Sequence, residues 1–213
     1  MRKPLIFRVA KAKIGRKKDG KSVELLEKAI AEKGQVLPGG ILKVGSFLNN
    51  MIDVGLLSEM GKEIYARFKD CGVNKILTVE ASGIGIACVT AQFFSCPVLF
   101  AKKSKTANLS GEFITAECYS YTHKKQNTLI VPKEFLTEKD KVLIVDDFLA
   151  HGEATKACME LANKAGAQTV GIAIAIEKGF QGAGDEWRKQ GINLLSLAII
   201  DSMDENSIVF RKQ

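Results

Sequence analysis

Apolar residues recur along the chain with two alternating periods, one typical of helices and one typical of buried strands. In residues 23–34 and 56–72 they stand three or four positions apart, and each segment ends at a glycine, a common helix stop signal. Short aliphatic runs such as 75–80 and 141–147 are typical of strands buried on both faces. The same pattern predicts further helices at 81–94, 153–167 and 183–191, and further strands at 97–103, 168–178, 192–200 and 207–211.

Three segments depart from this alternation. Residues 35–53 contain a Pro-Gly-Gly turn between short apolar pieces, which predicts a strand or hairpin followed by a loop. Residues 104–112 form a polar loop without periodicity, and residues 113–122 and 127–132 alternate as an antiparallel pair would. Because strands alternate with helices elsewhere, we expect an α/β fold with a central, mostly parallel sheet flanked by helices, plus one antiparallel hairpin.

The composition is that of an ordinary globular protein. Of the 213 residues, 46% are hydrophobic and 26% are charged, which suits one α/β domain. No apolar run approaches the roughly 18 residues of a membrane span, and we expect neither a membrane partner nor a secretory signal. The five cysteines are scattered and lack a C-x-x-C pair. We therefore expect a reducing, cytoplasmic location, without a disulfide framework or a zinc site.

The net charge of +7 comes from one short segment. Residues 1–21 contain nine basic residues and one acid, Asp19, so the rest of the chain is close to neutral. We interpret residues 1–22 as a basic N-terminal extension, disordered or artefactual, ahead of one domain at 23–213. A nucleic-acid-binding arm and a targeting sequence are the alternatives, but a basic segment without helical periodicity does not predict a nucleic-acid partner.

The candidate chemistry follows two of the predicted strands. In "VLIVDDFLAHGEA" (142–154), Asp146 and Asp147 end an aliphatic run, and a tight turn at Gly152 opens a helix. "EASGIG" (80–85) is a second small-residue turn that opens a helix. The N–H groups of such turns bind anions, whereas the two carboxylates would repel a phosphate and suit sugar hydroxyls. The pattern predicts a ribose held between two phosphate groups, at the carboxyl ends of the strands.

These segments resemble those of the type I phosphoribosyltransferases. "LKVGSFLNNMID", "ILTVEASGIG", "VLFAKK", "VDDFLAHGEA" and "IAIEKGF" follow the order and spacing of the bacterial xanthine enzymes of that family, over about residues 23–213. The resemblance implies the type I phosphoribosyltransferase fold with a flexible hood loop. It also implies a homodimer that uses Mg²⁺ and converts xanthine and 5-phospho-α-D-ribose 1-diphosphate (PRPP) to xanthosine 5′-monophosphate and diphosphate in purine salvage.

The resemblance also implies roles for individual residues. Asp146 and Asp147 would contact the ribose hydroxyls, one of them through Mg²⁺, and Lys102 or Lys103 would reach the diphosphate beneath a hood at 104–112. The phosphate loop after the acid pair and the turn before the 81–94 helix would supply the other PRPP contacts: Ala150, His151, Gly152, Glu153, Ala154, Ala81, Ser82 and Gly83. The xanthine contacts would be Leu42, Asn49, Lys178 and Phe180.

This chain departs from the family pattern in the phosphate loop. Enzymes for hypoxanthine and guanine carry an acid, proposed as a base, where this chain has Ala150, and His151 and Ala154 replace threonines. We expect no side-chain nucleophile or base, because xanthine loses a proton more readily than other oxopurines. Two alternative functions are a guanine or hypoxanthine phosphoribosyltransferase and a PRPP-sensing, DNA-binding regulator on the same fold.

Overall fold

The computed structural model describes residues 21–104, 111–120 and 125–212. The predicted extension at 1–22 therefore lies almost wholly outside the described residues, as does most of the predicted hood loop. The described helices are α1 (Lys21–Lys33), α2 (Val54–Phe68), α3 (Ser82–Phe94), α4 (Glu153–Lys164) and α5 (Ala183–Lys189). The described strands are β1 (Gln35–Leu37), β2 (Ile41–Lys43), β3 (Lys75–Val79), β4 (Val98–Ala101), β5 (Phe113–Ser120), β6 (Lys125–Pro132), β7 (Lys141–Leu149), β8 (Gln168–Lys178), β9 (Leu194–Met203) and β10 (Ile208–Phe210).

Six strands form the central sheet, in the order β10-β9-β8-β7-β3-β4. The pairs from β9 to β4 are all parallel, and β10 adds to the edge of β9 in the antiparallel sense. This arrangement confirms the predicted mostly parallel α/β sheet. Parallel strands require crossover connections, and α3 and α4 supply two of them along the chain.

Alternate side chains of the sheet enter two separate cores. Leu143 and Val145 of β7 pack on the face covered by α1, α2 and α3. Val142 and Ile144 point the other way, into a core shared with α4 and the β5–β6 hairpin. Because successive side chains of a strand alternate in direction, each buried strand must be apolar at every position. This requirement explains the unbroken aliphatic runs in the sequence.

The β5–β6 hairpin is the predicted antiparallel pair, in register from Phe113 and Pro132 onward. It is attached to the edge of the main sheet just beyond β4. The Lys102 N–H donates to the Ile130 carbonyl at 3.0 Å, and the Ile130 N–H donates back to Lys102 at 2.9 Å. The hairpin thus extends the core that it shares with α4 to the edge of the sheet, beside Lys102 and Lys103.

Two local features differ from the predicted pattern. β7 continues past the acid pair to Leu149, so Asp146 and Asp147 lie inside the strand rather than at its end. The segment that follows β2, predicted as loop, contains a π-helical turn at Gly45–Asn49. Within the described part of the chain, no helix combines the length and apolar character needed to cross a bilayer.

Candidate active site

The candidate site lies where the path of the chain reverses direction across the sheet. From β3 the chain moves outward to β4, whereas from β7, the neighbour of β3 on its other side, it moves toward β8 and β9. Ligands of open α/β sheets bind at such a switch point, beyond the carboxyl ends of the strands. The turn before α3 and the loop before α4 both begin at these ends, so the structure brings the predicted PRPP segments together.

The acid pair occupies the end of β7 that borders this crevice. The Asp147 N–H donates to Asp146 Oδ1 at 3.0 Å, and the Phe148 N–H donates to Asp147 Oδ1 at 3.0 Å. The Asp146 side chain is buried, whereas Asp147 is half-buried. Burial first, and the adjacent Asp147 carboxylate second, raise the pKa of Asp146 well above its usual range. Asp147, the less buried of the two, is therefore the acid better placed to meet a ligand.

The turn between β3 and α3 packs closely against the acid pair. A Cβ atom at Gly83 would lie 3.1 Å from Asp146 Oδ1 and would collide with Thr78 Oγ1, so only glycine fits there. No side chain caps the N-terminus of α3, which leaves its first N–H groups open to an anion. This turn also includes a cis peptide bond between Glu80 and Ala81.

Glu80 is the first residue of the predicted turn at 80–85, and it makes a contact that the sequence did not predict. Its Oε1 accepts the Lys103 N–H at 2.6 Å, which fixes the strand end that carries Lys102 and Lys103 beside the α3 turn. The signal available in the sequence was an acid directly after a buried strand and beside a glycine-rich turn. Its partner could not be predicted, because Lys103 uses a backbone group rather than its side chain.

The phosphate loop also depends on a single glycine. Gly152 has a φ of +82° and precedes α4, whose N-terminus has no side-chain cap. A Cβ atom at Gly152 would lie only 2.6 Å from the Trp187 ring of α5. The left-handed conformation and this close approach both require glycine. The loop therefore presents the open N–H groups of a second helix N-terminus, as predicted from the sequence.

Two of the predicted purine contacts, Lys178 and Phe180, lie at the end of β8. Lys178 Nζ donates to the Gly40 carbonyl in the β1–β2 turn at 2.8 Å, so it joins β8 to the hairpin that carries Leu42. Burial lowers the pKa of the Lys178 ammonium group. Phe180 follows in a 3₁₀ turn with 45% of its surface exposed. Asn49 is half-buried at the end of the π-helical turn.

Two findings modify this purine side. The Leu42 side chain is 7% exposed and belongs to the hydrophobic core, so its side chain does not form an open surface for a ligand. The Phe148 ring, to which the sequence prediction gave no role, has its centroid 5.9 Å from Lys178 Nζ. An aromatic ring at this distance stabilises the ammonium group and offers a flat apolar surface next to it.

Behind the purine side lies a buried charged network that was also missed. Glu177 is 1% exposed, and Arg188 of α5 donates to it from both terminal nitrogens, at 3.0 and 2.5 Å. The Ser196 hydroxyl donates to the same carboxylate. An acid inside an aliphatic strand needs a partner, but the sequence alone does not say which basic residue supplies it.

Comparisons with known proteins agree with this geometry. The model of the phosphoribosyl transferase domain family matches residues 56–205. A xanthine phosphoribosyltransferase of Lachnoclostridium phytofermentans is 49% identical over 191 residues, which cover 89% of this chain and 98% of the relative. A xanthine phosphoribosyltransferase of Bifidobacterium adolescentis is 50% identical over 86% of this chain and 96% of the relative.

Solved structures support the fold. The adenine phosphoribosyltransferase of Giardia lamblia, complexed with 9-deazaadenine, superposes with a TM-score of 0.68 at 22% identity, over 82% of this chain and 96% of that one. The Trypanosoma brucei enzyme, in complex with AMP, pyrophosphate and ribose-5-phosphate, gives a TM-score of 0.68 at 17% identity, over 82% of this chain and 78% of that one. The chain belongs to the phosphoribosyltransferase family, and relatives that match it along nearly their whole length are bacterial xanthine phosphoribosyltransferases.

Proposed function

We propose that this protein is a xanthine phosphoribosyltransferase, which transfers the phosphoribosyl group of PRPP to xanthine and releases diphosphate. The observation that carries the proposal is the acid pair of β7 placed between two uncapped helix N-termini, in a chain about half identical to bacterial xanthine phosphoribosyltransferases. Two anion sites on either side of two carboxylates match the two phosphate groups and the ribose hydroxyls of PRPP. No comparison favours a guanine or hypoxanthine enzyme or a DNA-binding regulator.

PRPP binding divides between the two turns. The N–H groups of the phosphate loop, residues 150–154, bind the ribose 5-phosphate at the N-terminus of α4, where the helix dipole favours an anion. The turn at Ala81–Gly83 binds the diphosphate in the same way at α3. Lys102 or Lys103 adds a positive charge from the end of β4, and Asp147 accepts hydrogen bonds from the ribose hydroxyls.

Magnesium fits this site only together with PRPP. Within the described ranges, no group of three or more His, Cys, Asp or Glu side chains could hold a metal. Mg²⁺ commonly takes one or two protein carboxylates and completes its shell with substrate phosphate oxygens and water. Asp147 and Asp146 could supply those carboxylates, and the ion would neutralise part of the charge on the departing diphosphate.

The reaction itself needs positioning rather than a protein nucleophile. The bond between C1 of the ribose and the diphosphate oxygen breaks, and its electron pair leaves with the diphosphate. A ring nitrogen of the purine donates its lone pair to C1, and the proton of the purine is released. The chain contributes alignment of the two substrates and donors for the diphosphate charge. Ala150 has no proton-accepting group, so we assign no side-chain base.

On the purine side, Lys178 and Asn49 are the proposed readers of the oxo groups. Lys178 is held in place by the Gly40 carbonyl and lies close to the Phe148 ring, so its ammonium group can donate to the 6-oxo group of a purine. Asn49 would bond the 2-oxo group that distinguishes xanthine from hypoxanthine. Phe180, exposed beside Lys178, would cover the face of the ring.

We also propose that the protein acts as a cytoplasmic homodimer. All five cysteines are free thiols, which supports a reducing compartment. The exposed apolar side chains of Met51, Ile52 and Val54, grouped before and at the start of α2, support a surface for a second copy.

Incubation of the protein with PRPP, Mg²⁺ and xanthine tests the proposed reaction. The expected products are diphosphate and xanthosine 5′-monophosphate in equal amounts, identified by chromatography and mass spectrometry. Guanine and hypoxanthine form the comparison reactions. If another purine were converted and no xanthosine 5′-monophosphate formed, the proposal that xanthine is the acceptor would be wrong.

A further inference from the structure

We propose that α5 fixes the two halves of the substrate site relative to each other and that the buried Glu177–Arg188 pair holds α5 in place. This inference rests on the proposed function, because it takes the purine-side turn, residues 178–182, and the phosphate loop, residues 150–154, as parts of one site. Arg188 is then a positioning residue that acts on both substrates from outside the site.

The first connection between α5 and the site is the polypeptide chain itself. The purine-side turn carries Lys178 and Phe180, and α5 begins directly after it at Ala183. Only Gly182, with a φ of +79°, separates the 3₁₀ turn from the helix. A shift of α5 is therefore transmitted to Phe180 and Lys178 through very few bonds.

The second contact is a packing contact with the phosphate loop. The Trp187 ring of α5 is buried and lies against the Cα atom of Gly152, where any side chain would collide with it. A groove of about 440 Å³ lies beside this contact and is lined by residues of both segments, among them His151, Gln181 and Trp187. The position of α5 therefore limits the position of the phosphate loop.

The third step concerns what holds α5. A helix of seven residues is not stable by itself, so tertiary contacts must fix it. Arg188 reaches from its last turn to the enclosed carboxylate of Glu177, the residue directly before Lys178, and also donates to the Ser196 hydroxyl at 3.1 Å. Gly184, at the start of the helix, lies so close to Glu177 that a Cβ atom would collide with the carboxylate.

A second, more exposed pair fastens the start of the helix. Arg211 donates to Asp185 of α5 at 2.6 Å and to Asp201 of β9 at 2.8 Å. Arg188 also bonds Asp185 at 3.3 Å, so both ends of α5 join one charged network. Exposed pairs contribute little, whereas loss of one partner of a buried pair leaves an uncompensated charge. Glu177–Arg188 is therefore the pair on which the position of the helix depends most.

The test compares Arg188→Met with Lys75→Met. Lys75 forms a similarly buried pair with Asp140 at 2.8 Å, at the opposite end of the strands from the site. Both variants remove the basic partner of a buried carboxylate and leave its remaining hydrogen bonds, from Thr137 to Asp140 and from Ser196 to Glu177, so both are expected to unfold at lower temperature. We expect Arg188→Met to raise the KM for xanthine and the KM for PRPP about tenfold each, since small displacements cost this much or more, with kcat changed less than threefold. Lys75→Met is expected to leave both KM values unchanged.

Arg188→Lys and Ser196→Ala are milder variants. They decide the test if Arg188→Met does not fold. Lysine keeps the charge but not the two-pronged geometry, so we expect it to recover only part of the affinity. Ser196→Ala removes one bond to Glu177, and we expect both KM values to rise about two- to threefold. Unchanged KM values in Ser196→Ala and in every folded Arg188 variant would overturn the proposal, and so would a change confined to one substrate.

Trp187 separates failure of this proposal from failure of the proposed function. It is the only tryptophan of the chain and lies against the phosphate loop, so its fluorescence reports PRPP binding without any purine. We expect PRPP to change the emission of the wild-type protein and Arg188→Met to need about tenfold more PRPP for half the change. If xanthine is not converted, this titration and the KM values for the purine that is converted still decide the inference.

Discussion

The carboxyl group of Asp146 is nearly enclosed at the end of β7, with the carboxylate of Asp147 next to it. Burial and this neighbour raise the pKa of Asp146, so the folded chain keeps a proton that the unfolded chain releases. The free energy of unfolding of the ligand-free protein must then fall as pH rises above the usual carboxyl range, because the unfolded state binds fewer protons. A ligand that hydrogen-bonds or neutralises this group would offset that cost.

Asp146→Asn is therefore expected to stabilise the ligand-free protein while it impairs function. Asparagine keeps an oxygen for the Asp147 N–H but carries no charge. We expect the free energy of unfolding to rise by about 1–2 kcal/mol at pH 7.5, as is common when strained functional groups are replaced, and kcat/KM for PRPP to fall about 100-fold. Near pH 4 the stability difference should be small, since the native wild-type chain is then protonated at this position and the unfolded chain is about half protonated.

Urea denaturation at pH 4, 6 and 7.5 measures this effect, with Asp70→Asn as the control. Asp70 is exposed, so its replacement should change the free energy of unfolding by less than about 0.5 kcal/mol at each pH. A stability gain of Asp146→Asn that is equal at all three pH values would show that its charge is not the cause.

Two glycines allow the cost of backbone conformation to be separated from the cost of a collision. Gly152 and Gly182 both have φ near +80°, but a Cβ atom would strike Trp187 at Gly152 and would meet nothing within 4 Å at Gly182. Gly182→Ala is therefore expected to destabilise the protein by about 1 kcal/mol. Gly152→Ala should cost about 2–4 kcal/mol, because the collision adds to the backbone cost.

The PRPP titration of Trp187 and thermal unfolding check this pair. We expect Gly152→Ala to weaken PRPP binding at least tenfold, since the loop must move away from the ring, whereas Gly182→Ala should change it less than threefold. Equal losses of stability in the two variants would contradict the close packing of Trp187 on the loop.

At the scale of the elements, the sequence predicted what depends on local periodicity. The apolar spacing in α2 and the aliphatic run in β8 each reflect one neighbourhood, a helix face or a strand buried on both sides. The extension of β7 to Leu149 depends instead on pairing with Glu177 of the next strand. Such non-local pairing has no signature inside the segment, so the strand was predicted to end at Asp147 rather than at Leu149.

The candidate site likewise contains features that local sequence predicts and contacts that depend on distant residues. The turns at Gly83 and Gly152 were predictable because small residues before a helix have a local structural cause. The partners of Glu80 and Glu177 lie 23 and 11 residues away, and one of them is a backbone N–H. The attachment of the β5–β6 hairpin through Lys102 and Ile130 is equally non-local. These contacts required the structure.

At the scale of the whole molecule, we propose that the basic N-terminal residues 1–22 take no part in the reaction. The match to the L. phytofermentans protein takes in 98% of that relative but only 89% of this chain, so this chain carries residues without a counterpart there. We expect removal of residues 1–20 to change kcat/KM for both substrates less than twofold. The temperature of unfolding should also remain within about 2 °C.

A gel-shift assay at physiological salt completes that comparison. The near-neutral remainder of the chain gives no electrostatic basis for binding DNA, so we expect no shift for the truncated protein, with or without PRPP. A PRPP-dependent shift of the truncated protein would favour the regulator over the enzyme.

The central claim is that the site described here selects xanthine as the acceptor. The most direct measurement is kcat/KM for xanthine, guanine and hypoxanthine at saturating PRPP and Mg²⁺, followed by diphosphate release. We predict that xanthine gives the highest value, by about tenfold or more over hypoxanthine, because an unpaired polar group at the site of the 2-oxo group costs at least about 1–2 kcal/mol. An equal or higher value for guanine or hypoxanthine would contradict the claim.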